Sequence, residues 1–406
     1  MKRASPARLL TAALIIGGVL RLGAAWFYAR TPLSSGGDDV QYHELADNLE
    51  YGRGYLLDGR PSAYRAPLYP LWLAGVMAVS GSRAPGFARF AQALLSLLTI
   101  WVAYRIGREL HSERAGAWAA LLLALCPEQI LLPTSLYCES VYALLVLLVA
   151  WALVRLRKKP ETASAAWAGA ALGLSLLMRS TLALVPLFFA PRKLKQVLLL
   201  LACAVLPLTP WIARNALRFG KLIPFESGVA GPVIWYASQG DIFAPGDETS
   251  VEPMKSMYAG LPPTEWDSFA LRLARQEIAA HPIRYVKTSL QRTFALWTDS
   301  YTCYLLHDHQ DLAGYMEAGN HWSRVYWPDM ALKLALALLA GLGCWLERKR
   351  AGVLAVACLI LYFNVYALGT VFARFAAPIT PLFCVLAGLG LVAAFEAGVS
   401  RAARLR

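Results

Sequence analysis

An all-α, polytopic membrane protein of about ten transmembrane helices, with a small mixed segment outside the membrane, is the fold class this sequence predicts. Three observations carry the prediction. The composition is 57% hydrophobic and only 16% charged, with a mean hydropathy of +0.46, whereas an average soluble domain has roughly 25% charged residues. Apolar runs long enough to cross hydrocarbon as a helix, roughly 17–25 residues, recur near 9–29, 86–104, 115–132, 136–154, 164–178, 180–191, 196–213, 330–346, 351–370 and 375–396. Finally, 19 of the 39 lysines and arginines gather in six short segments between or beyond those runs: Lys2 to Arg8, Arg105 to Arg114, Arg155 to Lys159, Arg192 to Lys195, Arg348 to Arg350 and Arg401 to Arg406.

A ten-span path with both termini in the cytoplasm places all six clusters on the cytoplasmic side, as the positive-inside rule asks. The opposite face is near neutral. Residues 30–83 hold five basic and six acidic side chains, and residues 214–328 hold ten and twelve. The net charge of +13 is therefore a topology signal, and a nucleic-acid partner is not expected. Residues 1–29 share features with a signal peptide, but Arg21 interrupts the run and no small-residue cleavage site follows, so a retained anchor is expected.

The runs at 164–178 and 180–191 are short and meet at Arg179, which reads as a helical hairpin turning in or just outside the outer leaflet. Residues 67–81 begin with two prolines and are too short to cross. Had they crossed, the clusters at Arg155 and Arg348 would lie outside, so this stretch reads as interfacial or re-entrant. The seven cysteines show no repeated spacing and sit mostly in apolar runs, against a disulfide framework or zinc cluster. Cys138 and Cys303 are the one plausible outward pair.

Three parts follow: residues 1–213, an N-terminal transmembrane module containing the first external loop; 214–328, an external segment; and 329–406, C-terminal transmembrane helices. Within the external segment, Thr264 and Asp267 mark a helix start, and His281-Pro282 ends that helix. Beyond the proline, Ile283, Val286, Leu290, Phe294 and Trp297 form an apolar stripe opposed by Arg284, Lys287 and Arg292, the pattern of an amphipathic helix lying on a membrane surface. His307, Asp308, His309 and Asp311 have metal-ligand chemistry but no further spaced partner, which leaves a polar turn or an acceptor contact as the alternatives.

Most chemistry converges on residues 36–72, GGDDVQYHELADNLEYGRGYLLDGRPSAYRAPLYPLW. Asp38 and Asp39 head a helical pattern in which Tyr42, Leu45, Ala46 and Leu49 fall on one face, and counting back from them turns Asp38 inward. Carboxylates at a helix start are favoured in their ionised form. Arg65, Arg214 and Arg374 each lie near an expected outer helix end and suit an anionic phosphate. A carboxylate base beside such arginines fits displacement at a carbon activated by a lipid phosphate. Simple helix capping by Asp38 or Asp39 stands beside that reading.

The run D-D-x-x-Y-x-x-L-A-x-N-L-x-x-G-x-G-Y from Asp38 to Tyr55, followed by A-Y-R-A-P-L-Y-P-L-W-L-A from Ala63 to Ala74, resembles the first external loop of bacterial GT-C glycosyltransferases, the group containing protein O-mannosyltransferases and lipid A aminoarabinose transferases. R-S-T at Arg179, P-W-I-A-R-N from Pro210 to Asn215 and A-R-F-A-A-P-I-T-P from Ala373 to Pro381 extend the resemblance over most of the chain. It implies a multi-span enzyme of the bacterial inner membrane that moves a sugar from a polyprenyl-phosphate donor to a glycan, lipid or protein acceptor on the outer face, with inversion.

By that resemblance Asp38 matches the catalytic acidic position, with Asp39 beside it. Arg65 matches a donor-phosphate position, shared in this reading with Arg214 and Arg374. Tyr42, Tyr64, Tyr69 and Glu139 are expected contacts to sugar or acceptor. Relatives that use a metal carry a glutamate where Tyr64 stands, so no metal is carried over and no cofactor is required. The rival from another class is a lipid-linked sugar transporter or flippase, which needs the arginines but no base.

Overall fold

The computed structural model describes residues 5–33, 37–189, 191, 193–242, 258, 260–306 and 323–404. Its described residues are almost entirely helical, and the chain is a multi-pass membrane protein. Among the described residues six helices are long and apolar enough to cross a membrane: Pro6–Phe27, Pro85–Leu110, Glu139–Lys158, Leu194–Phe219, Val325–Glu347 and Ala373–Ala397. A seventh exists only if Glu113–Leu125 and Pro127–Thr134, bent by 66°, count as one.

The remaining expected spans, at 164–178, 180–191 and 351–370, coincide with the shorter apolar helices Thr162–Leu176, Ser180–Phe189 and Val353–Leu368. Hydropathy located these stretches but did not register their breaks. Pro127 cannot donate a helical hydrogen bond and forces the residue before it out of helical geometry; Cys126 is accordingly extended. Arg21, buried in the first span, donates to the carbonyls of Leu123 (2.8 Å) and Ala124 (3.1 Å) that this break exposes. A cation thus occupies the negative end of a broken helix.

In chain order the N-terminal part runs α1 (Pro6–Phe27), α2 (Asp38–Glu50), a hairpin of β1 (Leu56–Leu57) and β2 (Arg60–Pro61), α3 (Leu68–Ser80), α4 (Pro85–Leu110), α5 (Glu113–Leu125), α6 (Pro127–Leu131), α7 (Glu139–Lys158), α8 (Thr162–Leu176), α9 (Val185–Phe189), α10 (Leu194–Val205) and α11 (Thr209–Phe219). The hairpin pairs Leu56 with Pro61 and Leu57 with Arg60. Its two-residue turn, Asp58-Gly59, has positive φ at both positions, the combination that suits the twist of a tight hairpin. The 13-residue α3 is one of the shorter apolar helices.

The external segment contributes α12 (Ala230–Gln239), α13 (Pro263–Ala280), α14 (Pro282–Thr298) and α15 (Tyr301–Leu306), and the C-terminal part α16 (Ser323–Glu347), α17 (Val353–Tyr362) and α18 (Thr380–Arg404). Helix α7 is buried along almost its whole length, with α4, α8 and α17 against it. Helices α16 and α18 cross so closely that a Cβ on Gly343 would collide with the Leu386 carbonyl, and one on Gly390 with that of Leu339.

Two sequence expectations about α14 divide. Its stripe Ile283, Val286, Leu290 and Phe294 is exposed, but Arg292, expected on the solvated face, is fully buried. The guanidinium is drawn inward by the carbonyls of Ala367 (2.9 Å), Ala237 (3.1 Å) and Asp241 (2.9 Å). Cys138 and Cys303 are both free thiols. His307, Asp308, His309 and Asp311 lie outside the described residues.

Candidate active site

The site is assembled at the start of α2. Gly37 precedes the helix in extended geometry and Asp38 is its first residue. Tyr42, Leu45 and Ala46 are buried as their spacing requires, anchoring α2 against α3 and the hairpin. The adjacent acids then diverge. Asp39 is the more deeply buried and lies within the field of Arg89, near the start of α4, whereas Asp38 stays partly open.

Asp38 is gripped from two ends of the chain. Its Oδ1 accepts from Arg65 Nη2 and its Oδ2 from Arg374 Nη2 at 2.7 Å. Arg65 is oriented by Gln41, whose Oε1 accepts from Nε (2.9 Å) and Nη2 (2.8 Å), and lies over the rings of Tyr64 and Tyr42. Arg374 lies 4.4 Å above the Tyr137 ring, and its Nε is 3.7 Å from Glu139 Oε1. Glu139, first residue of α7, in turn accepts from Arg179 Nη1 at 2.7 Å. Arg179 sits at the break after α8, over Phe375 and Tyr366.

Three guanidiniums therefore meet two carboxylates. Side-chain exposures of 12 to 23% for the arginines and Asp38, and 2% for Glu139, leave the cluster nearly dry but reachable. Burial alone would raise the Asp38 carboxyl, but Arg65, Arg374 and Arg179 outweigh it and hold that carboxyl well below the usual carboxylate range. The same pairing holds the Arg65 guanidinium above its ordinary value despite burial.

The other expected residues divide between the cluster and its supports. Tyr42 and Tyr64 line Arg65. Tyr69 is closed into the core, its hydroxyl donating to Gln92 at 3.0 Å and its ring packed on Tyr42 and Trp72. Arg214 is engaged by the first external loop: it donates to the carbonyls of Ser62 (2.7 Å) and Tyr55 (3.1 Å) and to Asn215 Oδ1 (2.8 Å), with Tyr55, Trp211 and Phe219 around it. It braces the hairpin rather than facing Asp38. Gln41, Tyr137 and Tyr366 are parts of the cluster that sequence reasoning did not assign. Tyr137 stands two residues before Glu139, the one local hint available.

Both oxygens of Asp38 are held by guanidiniums, and Asp39 lies in the field of Arg89. Among the described residues no group of three His, Cys, Asp or Glu side chains is placed to hold an ion.

Residues 64–213 match the family model described as dolichyl-phosphate-mannose-protein mannosyltransferase. The archaeal oligosaccharyltransferase AglB of Archaeoglobus fulgidus, solved with an inhibitory peptide and a dolichol-phosphate, superposes at a TM-score of 0.57 and 16% identity over 98% of this chain and 51% of its own. Its apo form gives 0.55 and 15% over 99% and 52%. The chain has the GT-C fold. ArnT of Cupriavidus metallidurans bound to undecaprenyl phosphate aligns at a TM-score of 0.45 and 14% identity, covering 96% of this chain and 79% of its own. The chain spans about half the length of the oligosaccharyltransferase structures it matches. A comparison with curated proteins finds no match.

Proposed function

We propose that this chain is a membrane glycosyltransferase that moves a sugar from a polyprenyl-phosphate donor to a glycan, lipid or protein acceptor. Its place is the bacterial inner membrane, with both termini cytoplasmic and the Asp38 cluster on the external face. The single observation that carries the reading is the grip of Arg65 and Arg374 on Asp38, beside the Arg179–Glu139 pair, which leaves one positive charge in excess in a nearly dry site. The match to a mannosyltransferase family model and the dolichol-phosphate bound by the fold neighbour support it.

In this mechanism the donor phosphate takes over the guanidiniums of Arg65 and Arg374. Asp38, freed from its cations, regains basicity at the moment a base is needed. It accepts the proton of the acceptor hydroxyl as that oxygen attacks the anomeric carbon. The bond from that carbon to the phosphate oxygen breaks, and its electron pair leaves with the polyprenyl phosphate, whose growing charge the arginines stabilise. Attack opposite the leaving group inverts the anomeric centre. Arg214 holds the loop in place.

Full-length protein in membranes, supplied with labelled polyprenyl-phosphate-mannose and candidate acceptors, tests the reading through release of free polyprenyl phosphate. Asp38→Asn should lower that release by about 10²–10⁴-fold, the range of a general base, without changing expression. Near-normal turnover in the variant removes Asp38 from the role.

A further inference from the structure

The segment following α11 brings a third carboxylate to the cluster's edge. Glu226 Oε1 accepts from both the backbone N–H (3.3 Å) and the hydroxyl (2.5 Å) of Ser180, the neighbour of Arg179. Its Oε2 is sealed from solvent and has no hydrogen-bond partner among the described residues. A buried acceptor left open costs about 1–3 kcal/mol, so its retention calls for a ligand.

Glu226 is also firmly held. Trp211 Nε1 donates to the Phe225 carbonyl at 2.9 Å, Ser227 N to the Ala63 carbonyl at 2.8 Å, and Gly228 N to Asp267 Oδ2 at 2.6 Å. Ala63 is two residues from Arg65. Glu226 thus lies one residue from a backbone contact to the loop bearing Arg65 and in direct contact with the residue after Arg179. No lysine or arginine among the described residues forms an ion pair with it. A rigid, uncompensated acceptor beside a phosphate-binding grip has the chemistry to receive a hydroxyl.

We propose that Glu226 binds a hydroxyl of the sugar carried by the donor, a sugar-recognition contact supplied by the segment after the seventh expected span. The proposal rests on the phosphate reading of Arg65 and Arg374. On that reading the donor phosphate occupies the Arg65 and Arg374 guanidiniums, and Oε2, the acceptor left open in the resting site, is the oxygen that receives the sugar hydroxyl.

The test uses the full chain in nanodiscs with two probes, polyprenyl-phosphate-mannose and sugar-free polyprenyl phosphate, binding being read from intrinsic tryptophan fluorescence. Glu226→Gln keeps an acceptor for Ser180 and removes the charge; Glu226→Ala removes both. Each variant should bind the sugar-bearing lipid about tenfold more weakly and the sugar-free lipid as the parent does. Equal weakening for both lipids, or none for either, overturns the assignment. Arg374→Ala should weaken both lipids; its failure to do so counts against the phosphate reading instead. A thermal melt of each variant separates unfolding from loss of contact.

Discussion

The buried and half-buried arginines of this protein fall into two sets by the kind of partner they hold. Arg21, Arg89, Arg214 and Arg292 direct their guanidiniums mainly at backbone carbonyls: those of Leu123 and Ala124, of Thr134, Tyr28 and Thr31, of Ser62 and Tyr55, and of Ala237, Asp241 and Ala367. Arg65, Arg179 and Arg374 direct theirs at side-chain carboxylates. The distinction is one of exchangeability. A carbonyl is fixed in the fold and has no substitute when the arginine leaves, whereas a carboxylate on a rotatable side chain can give way to another anion. Partner type therefore separates arginines fixed in the fold from arginines whose partner can be exchanged, the set proposed above to meet the donor.

The sharpest way to break this division is Arg374→Ala. It should lower kcat/KM for donor use by about 10²–10³-fold, as loss of one charge-stabilising group does, and raise the donor KM. Asp38 keeps Arg65, and Glu139 keeps Arg179, so melting temperature should change less than for any member of the carbonyl set. Large destabilisation with little change in turnover per folded molecule would place Arg374 in the wrong set.

Arg292→Ala is the converse. It removes a donor from the buried carbonyls of Ala367 and Ala237, the latter still accepting from Gly240 N–H, and from the more exposed carbonyl of Asp241, at about 1–3 kcal/mol for each group left unsatisfied and with less than full additivity, for a net loss of about 2 kcal/mol in stability. Thermal melts in detergent measure it. Turnover per folded molecule should remain close to the parent's; inactivation without destabilisation would contradict the division.

Legibility in the sequence followed the same line. The helix from Asp38 and its buried face were readable because the 3.6-residue period expresses itself locally, and Arg65 was marked by its place in the proline-punctuated run. That Arg374 shares Asp38 with Arg65 was not readable, because their partnership spans 336 positions and depends on how the spans pack. Arg214 lies in a family-like motif and invited a phosphate role, yet its neighbours in space are carbonyls that no local pattern displays. Arg292 was misplaced for a related reason: helical periodicity shows which residues share a face, and cannot show that Arg292 turns into the packing while Arg284 and Lys287 stay exposed. The broken spans escaped because hydropathy averages over a proline.

Arg214→Ala sharpens the comparison from its middle. Two loop carbonyls lose a donor, but Trp211 and Phe219 still pack the site, so a loss of about 1–2 kcal/mol is expected. Binding of sugar-free polyprenyl phosphate should be unchanged within a factor of about two, given that the guanidinium contacts the loop and not Asp38. A tenfold loss of lipid-phosphate binding, with melting unaltered, would return Arg214 to the phosphate-binding set.

The smallest effect expected is one of pH, and its sign follows from the direction of the Asp38 shift. Because the arginines hold this carboxyl below its ordinary range in the folded protein, its contribution to stability is complete above the unfolded aspartate value of about 3.9 and is lost only as pH falls from there through the folded value. The stability difference between the parent and Asp38→Asn should therefore be flat from about pH 7 to pH 5 and shrink only below about pH 4. Paired thermal melts across that range, in the absence of donor, measure the difference directly and cancel titrations common to both proteins. A difference that already shrinks between pH 7 and pH 5 would mean that Asp38 is not held by the two guanidiniums in the resting state, and the exchangeable set would lose its central carboxylate.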